Sequence, residues 1–224
     1  MKLAALFSGG KDSVFAIWKA MQEGHTISYL ATVHSSNPES FMYHTANIGL
    51  TVFQSVAMGM KLVSSQCTGE KEKEVHEIEN LLKNMEVDGV VCGAIKSNYQ
   101  KDRVAKVCKE LNLKLVSPLW HTDEEKYLRE LVNEGFEIVI TEVAAEGFTE
   151  KWLGRKLDDK CIDDLLVLRK KHKISIVGEG GEYETAVLDC PLFKQRMDIT
   201  ASEKKWEGNS SGRFMISAVK MVEK

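Results

Sequence analysis

The sequence contains no apolar stretch that could cross a membrane. A membrane-spanning helix needs about 20 consecutive apolar residues, and polar residues interrupt every hydrophobic run of this chain well before that length. The first residues, Met1-Lys2-Leu3, lead directly into a predicted strand instead of into a signal peptide. We therefore expect a cytoplasmic protein that does not associate with membranes.

Cysteine and proline are both scarce. The odd number of cysteines, without any CxxC pair or metal-ligand spacing, argues against a disulfide framework and against a structural zinc site. We expect reduced thiols that pack as small apolar groups. Three prolines and the lack of a low-complexity tract argue against a long linker. The five cysteines are Cys67, Cys92, Cys108, Cys161 and Cys190.

An excess of positive charge is also missing. The formal net charge is −3 and the isoelectric point is about 6.1, with lysine and arginine scattered among acidic residues. Proteins that bind the phosphate backbone cluster their basic residues, so this distribution argues against nucleic acid as a partner. With 224 residues, of which 43% are hydrophobic, the chain can bury the core of one domain with a smaller appendage.

Strands and helices alternate in the first half of the chain. Apolar or β-branched runs separated by amphipathic stretches are typical of βαβ units. This alternation predicts an α/β fold with a doubly wound, mostly parallel sheet. The predicted strands are residues 3–7, 26–33, 61–66, 89–92 and 113–116, and three of the predicted helices are residues 14–21, 71–85 and 102–111. Residues 41–45 are predicted to lead into a further helix that ends at residue 60.

The alternation changes after residue 120. We predict helices at 123–134 and 158–170, strands at 136–143 and 174–177, and a terminal hairpin with strands at 195–206 and 212–222. We therefore expect two domains. Residues 1–128 are predicted to bind nucleotide, and residues 129–224 are predicted to form a smaller α+β domain that binds substrate.

The first strand and the first helix are joined by a loop suited to phosphate. Two adjacent glycines let the backbone approach an anion, and the following helix start aims N–H groups and its positive dipole end at it. Asp12 has the wrong sign for phosphate, so it either binds a bridging Mg²⁺ or caps the helix. The GxxxxGK[ST] spacing of a Walker A motif is absent. The loop consists of Ser8, Gly9, Gly10, Lys11, Asp12 and Ser13.

A second unusual loop follows residue 177. Residues 178–184 contain three glycines and three glutamates, a composition that suits neither a helix nor a strand. One interpretation is a tight turn with solvated acids. The other is a substrate loop in which the acids, with the Tyr183 ring, meet a cation.

Several polar side chains are predicted to lie at the carboxyl ends of the strands. In open α/β sheets this edge binds ligands. His34 and His44 follow the second strand, where the nucleotide would lie. Tyr99 and Gln100 follow the fourth strand, and we expect them to line the ligand cleft.

Together these segments resemble a known family. The first loop is similar to the pyrophosphate-binding loop of the N-type ATP pyrophosphatases. Further matches resemble the diphthine–ammonia ligase family within that superfamily. They are Phe41-Met42-Tyr43-His44, Ser97-x-Tyr99-Gln100, Pro118-Leu119-Trp120, Gly178-Glu179-Gly180-Gly181-Glu182-Tyr183-Glu184-Thr185 and Asp189-Cys190-Pro191-Leu192-Phe193.

The resemblance implies a fold and an activity. The fold would be adenine nucleotide alpha hydrolase-like, of the HUP type. The activity would be an ATP-dependent ligation in which diphthine, a modified histidine of translation elongation factor 2, is amidated through an acyl-adenylate. Ammonium would be consumed, AMP and pyrophosphate released, and Mg²⁺ required. The larger eukaryotic members carry additional C-terminal domains, so we expect this chain to correspond to the minimal catalytic unit, without a glutaminase.

The resemblance also implies roles for individual residues. ATP would be bound by the first loop and His34, with Asp12 as the Mg²⁺ ligand. The catalytic groups would be Lys11, Asp12, Glu182 and Glu184, although Glu179 is an equal candidate for the base that deprotonates ammonium. The predicted substrate-binding residues are Tyr43, His44, Ser97, Tyr99, Gln100, Glu179, Gly180, Gly181, Glu182, Tyr183, Glu184 and Thr185.

Two other functions fit parts of the pattern. One is a tRNA-modifying enzyme of the same superfamily, which the acidic balance and the lack of CxxC disfavour. The other is a module that binds an adenine nucleotide without turning it over. The sequence leaves the oligomeric state open, a homo-oligomer included.

Overall fold

The chain forms two compact units. The computed structural model describes residues 1–35, 47–67 and 71–224. The first unit is Met1–His121 and the second is Thr122–Lys224. Among the described residues, no helix combines the length and the apolar character that crossing a bilayer would require.

The first unit contains a five-stranded parallel sheet. Its order is β3-β2-β1-β4-β5, and every neighbouring pair is parallel. The predicted doubly wound sheet is therefore confirmed. The strands are β1 (Lys2–Leu6), β2 (Thr26–Ser35), β3 (Leu62–Cys67), β4 (Gly89–Val91) and β5 (Lys114–Val116).

Helices connect these strands. They are α1 (Lys11–Gln22), α2 (Leu50–Met58), α3 (Lys71–Lys83) and α4 (Asn98–Glu110). One core cluster joins Val90 of β4 to Ile78 of α3 and Val104 of α4, all at most 1% exposed. Two helices begin earlier than predicted, at Lys11 and Asn98, so residues of both loop motifs belong to first helical turns.

The strand order creates a crevice beside β1. The chain leaves β1 through α1 to reach β2 on one side, while β4 pairs with the other side of β1. The loops that follow β1 and β4 therefore diverge at the carboxyl edge of the sheet. Such a switch point is where open α/β sheets bind ligands.

The second unit contains an antiparallel sheet and two helices. The sheet order is β7-β6-β9-β8. The predicted terminal hairpin is confirmed, with a two-residue turn at Asn209 and Ser210, whose φ values are 49° and 61°. The elements are α5 (Glu124–Asn133), β6 (Glu137–Ala144), α6 (Asp159–His172), β7 (Tyr183–Asp189), β8 (Gln195–Gly208) and β9 (Ser211–Glu223).

One predicted strand is wrong. Residues 174–177 contain no strand, and the strand of this region, β7, begins instead at Tyr183. Ile176 and Val177 are at most 1% exposed. Their apolar character reflects burial in a turn, which sequence periodicity does not distinguish from a short buried strand.

The helix α5 belongs to the second unit. Arg129 of α5 donates to Asp159 and Asp163 of α6, at 2.9 and 2.7 Å. Asp123 caps α5, because its Oδ1 accepts the Lys126 N–H at 2.9 Å. The structure accordingly divides between His121 and Thr122, whereas the boundary expected from the sequence, after residue 128, cuts through this helix.

We predict that the buried thiols are unreactive in the folded protein. Burial raises the pKa of Cys108 to about 11 and the pKa of Cys161 and Cys190 to about 12. At pH 8, iodoacetamide should leave these three unmodified in the native protein and label them in guanidinium chloride, as mass spectrometry would detect. Rapid labelling of the native protein would contradict their burial.

The same thiols give an expected pH dependence of stability. An unfolded cysteine has a pKa of about 8.5, so above that pH the unfolded state loses protons that the folded state keeps. The free energy of unfolding should therefore fall as the pH rises from about 8.5 towards 11.

Candidate functional site

The loop after β1 is fixed to the neighbouring strand. The Phe7 N–H donates to the carbonyl of Ala31 at 2.9 Å, and the buried Thr32 hydroxyl donates to the carbonyl of Phe7 at 2.7 Å. The Phe7 side chain is 1% exposed. The start of the loop is thus tied to β2 before the chain turns.

Gly9 occupies a position that only glycine fits. Its φ is +78°, and a Cβ there would lie 2.1 Å from Oε1 of Gln54. The Gln54 side chain, which is fully buried, donates from Nε2 to the carbonyl of Gly9 at 2.8 Å. The backbone therefore follows one defined path through the loop.

The two loop serines lie together at the start of α1. The Ser8 hydroxyl donates to Oγ of Ser13 at 3.2 Å, and the Ser13 hydroxyl donates to the carbonyl of Gly10 at 3.0 Å. The Gly10 N–H is directed at Oγ of Ser8, 3.4 Å away. Two hydroxyls and the helix N-terminus therefore converge as phosphate binding requires.

Lys11 and Asp12 form an ion pair in the first turn of α1. Nζ of Lys11 lies 3.0 Å from Oδ2 of Asp12, and the lysine is 2% exposed. The Asp12 side chain is 37% exposed. The N-cap position is Gly10, so Asp12 is not the helix cap, and a role as a cation ligand is the alternative left from the sequence.

The loop after β4 contacts the start of α1. A Cβ on Gly93 would lie 2.8 Å from the carbonyl carbon and oxygen of Asp12. The carbonyl of Ser97 accepts the Lys101 N–H at 3.1 Å as α4 begins. The loop after β4 therefore lies beside the loop after β1. Tyr99, in the first turn of α4, is 42% exposed and presents an aromatic side chain to solvent.

A third motif segment packs against this loop. Nζ of Lys101 lies 3.8 Å from the Trp120 ring centroid, and the His121 N–H donates to the carbonyl of Ile95 at 2.8 Å. The Pro118-Leu119-Trp120 segment thus supports the β4–α4 loop.

Four predicted site residues are not placed by the structure. Tyr43 and His44 lie outside the described residues. His34 belongs to β2 and Gln100 to α4, but their side chains also lie outside the described part of the chain. Their predicted contacts with ligand stay predictions.

In the second unit, Glu182 holds its own loop together. Its carboxylate accepts the N–H of Ser175 and the N–H of Gly180, both at 2.8 Å. A Cβ on Gly180 would lie 2.9 Å from the same carboxylate. The segment does turn here, but Glu182 is not the solvated acid of the tight-turn interpretation, because its charge is directed at the backbone.

Tyr183 packs in the core. It is 1% exposed, its hydroxyl donates to the carbonyl of Ile176 at 2.7 Å, and its ring centroid lies 6.1 Å from that of Phe148. The expectation that this ring faces a cation does not agree with its burial. A Cβ on Gly178 would lie 2.6 Å from the Tyr183 carbonyl oxygen, so this glycine is needed for the packing.

The remaining acidic residues of the loop are partly exposed. Glu179, Glu184 and Thr185 have intermediate exposure, whereas Gly180 and Gly181 are exposed. Glu184 stands opposite Glu142 in the β6–β7 register, and Oε1 of Glu142 lies 3.3 Å from Nε of Arg213. Sequence reasoning missed Glu142, because its relation to Glu184 depends on strand register.

No cluster of three or more potential metal ligands occurs among the described histidine, cysteine and acidic side chains. Mg²⁺ in nucleotide sites is commonly held by one or two carboxylates together with substrate phosphates. The single, partly exposed carboxylate of Asp12 in the first turn of α1 fits that requirement.

Comparisons with known families cover both units. A family model described as the diphthamide synthase N-terminal domain matches residues 1–115. A second model, described as the diphthamide synthase C-terminal domain, matches residues 123–222.

Several relatives of the chain are named diphthine–ammonia ligase. The Rattus norvegicus protein is 38% identical over 91% of this chain and 84% of its own length. The Homo sapiens protein is 37% identical with the same coverage, and the Schizosaccharomyces pombe protein is 36% identical over 100% of this chain and 40% of its own length.

Among solved structures, one from Methanocaldococcus jannaschii is named as a predicted subunit of tRNA methyltransferase. Its TM-score is 0.48 at 16% identity, covering 85% of this chain and 98% of that chain. A likeness at this level carries no information on function.

We predict that Glu182→Gln destabilises the glycine-rich loop of residues 178–184. The amide replaces one accepting oxygen with a donor that faces a backbone N–H, so the free energy of unfolding should fall by about 1–3 kcal/mol. Urea denaturation would measure it. Glu203→Gln, on an exposed stretch of β8, is the matched control and should change stability by less than about 0.5 kcal/mol. If the two substitutions lower the free energy of unfolding equally, Glu182 does not stabilise the loop through its two backbone hydrogen bonds.

Proposed function

Because the chain belongs to the diphthine–ammonia ligase family, we propose that it catalyses the ATP-dependent amidation of diphthine on translation elongation factor 2. Ammonium is the nitrogen source, and AMP and pyrophosphate are the products. The observation that carries the proposal is the match of both units to the two diphthamide synthase domains. Since the substrate is a translation factor, we place the reaction in the cytoplasm.

The first unit is proposed to bind ATP. The converging serine hydroxyls, the N-terminus of α1 and the buried Lys11 supply donors and positive charge at the switch point of the sheet. These groups suit the triphosphate. Donors that are already in place stabilise the negative charge that develops as pyrophosphate leaves.

The chemistry needs no nucleophile from the protein. An oxygen of the diphthine carboxylate attacks the α-phosphorus, and the bond between that phosphorus and the bridging oxygen of pyrophosphate breaks. Ammonium loses one proton to give ammonia, which attacks the carbonyl carbon of the acyl-adenylate. AMP then departs with the carboxylate oxygen that attacked the phosphorus, and the nitrogen loses a second proton to give the amide. The role of the chain is to hold the reactants and to accept these protons.

Asp12 is the proposed ligand of Mg²⁺. The ion would neutralise phosphate charge when bound. In the described structure, Asp12 already faces Lys11 at 3.0 Å, so the same carboxylate can hold the cation and orient the lysine.

The second unit is proposed to recognise the cationic parts of the reaction. Diphthine carries a trimethylammonium group, and ammonium is itself a cation. Glu184, opposite Glu142, supplies negative charge beside the glycine-rich loop, and Glu179 is partly exposed in the loop. Glu179 and Glu184 are therefore the two candidates for the proton acceptor. We assign Glu182 to positioning the loop.

The decisive test is product analysis. Purified protein is incubated with Mg²⁺, ATP and ammonium, with and without elongation factor 2 that carries diphthine. AMP and pyrophosphate should form only with the factor, whose mass should fall by the difference between a hydroxyl and an amino group. AMP formed without the factor would favour a different acceptor, as in a tRNA-modifying enzyme. Binding of ATP without any turnover would favour a nucleotide-binding module.

We predict that Asp12→Ala abolishes pyrophosphate release. Loss of the cation ligand should lower turnover by at least about 100-fold, since it removes charge stabilisation at the reacting phosphates. The fold should persist, because this side chain is partly exposed, and circular dichroism would verify it. Asp198→Asn, in the exposed ion pair with Arg196 on β8, is the control and should retain activity. Near-normal turnover of Asp12→Ala would remove Asp12 from the site.

A further inference from the structure

Gln54 reaches from α2 to the backbone of the phosphate-binding loop. Its side chain is fully buried, and its Nε2 donates to the carbonyl of Gly9 at 2.8 Å. The two residues are 45 positions apart in sequence, and no motif of the chain includes Gln54. None of the functional roles assigned so far therefore accounts for this contact.

The hydrogen bond fixes the orientation of one peptide group. In a trans peptide the carbonyl and the N–H point in opposite directions, and no peptide bond of the described chain is cis. Because Gln54 holds the carbonyl of Gly9, the N–H of Gly10 is turned away from Gln54. It points to the side of the Ser8 hydroxyl, at 3.4 Å, which is the side where the phosphate donors converge.

The helix α2 buries several polar side chains. Three of its six buried residues are polar, namely Thr51, Gln54 and Ser55, which are 0–5% exposed, while Val52 and Phe53 are 51% and 43% exposed. Burying polar side chains is unfavourable unless they are hydrogen-bonded. The Thr51 and Ser55 hydroxyls donate within the helix region, to carbonyls three residues earlier. The bond from Gln54 instead connects the helix to the loop.

We infer that Gln54 is a positioning residue for phosphate: it holds the Gly9–Gly10 peptide so that the Gly10 N–H faces the pyrophosphate part of ATP. The inference rests on the proposed function, because it takes the first loop to be the ATP phosphate site. Gly9 contributes to the same arrangement, because its positive φ and missing Cβ leave room for the side-chain amide of Gln54.

Two substitutions remove the donor with little change in size. Gln54→Met should weaken the binding of inorganic pyrophosphate, with Mg²⁺, by about three- to tenfold, the effect of one hydrogen bond. Gln54→Leu should weaken it at least as much, because an apolar side chain cannot donate to the Gly9 carbonyl. Thr51→Val, which removes a buried hydroxyl that bonds to Ile48, is the matched control and should leave pyrophosphate affinity unchanged.

Glycine labelling gives a readout that a general loss of stability does not produce. The chain has only two Gly-Gly pairs, Gly9-Gly10 and Gly180-Gly181. In protein labelled with [1-¹³C, ¹⁵N]glycine, spectra selective for linked ¹³C–¹⁵N pairs therefore show only the amides of Gly10 and Gly181. In the unmodified protein, pyrophosphate should shift the Gly10 resonance and leave the Gly181 resonance in place.

The outcomes separate the inference from the proposed function. In Gln54→Met without ligand, the chemical shift of the Gly10 amide should already differ from that of the unmodified protein. Its titration with pyrophosphate should reach saturation at a three- to tenfold higher pyrophosphate concentration. If that variant does not fold, Gln54→Leu serves for the same comparison. An unchanged Gly10 resonance with unchanged affinity would overturn the role of Gln54 alone. If pyrophosphate does not shift the Gly10 resonance of the unmodified protein, the first loop is not the phosphate site, and both proposals are overturned.

Discussion

The described part of the candidate site depends on how the backbone is held between β1 and α1. Two carbonyls on this path, those of Phe7 and Gly9, accept hydrogen bonds from buried side chains, Thr32 on β2 and Gln54 on α2. Each bond orients a peptide group before any ligand arrives. Preorganisation of this kind allows backbone donors to stabilise a departing anion without reorganising during the reaction.

The acidic residues of the glycine-rich loop, residues 178–184, differ in what they contact. Glu182 directs its carboxylate at the N–H groups of Ser175 and Gly180, while Glu184 lies opposite Glu142 on the sheet. A loop rich in glycine has a large conformational entropy to lose, and an internal carboxylate that accepts two N–H groups offsets part of that cost. Glu179 and Glu184, the proposed proton acceptors, therefore project from a backbone whose path is already fixed.

Local patterns predicted much of this structure. The parallel sheet, the Ser8 to Ser13 loop and the terminal hairpin each follow from periodicity or from a turn signal within a few residues. The errors concern long-range contacts. Burial made residues 174–177 resemble a strand, and the hydroxyl bond from Tyr183 to Ile176 placed that ring in the core. Gln54 was missed because nothing in the sequence links it to a carbonyl 45 residues away.

In the proposed reaction the chain activates a carboxylate by adenylation. The most direct measurement follows ¹⁸O placed in the carboxylate of diphthine on elongation factor 2. If the carboxylate attacks the α-phosphorus and ammonia then displaces AMP, one ¹⁸O must appear in the phosphate of AMP, while pyrophosphate stays unlabelled. Unlabelled AMP, or ¹⁸O in orthophosphate formed together with ADP, would contradict the account.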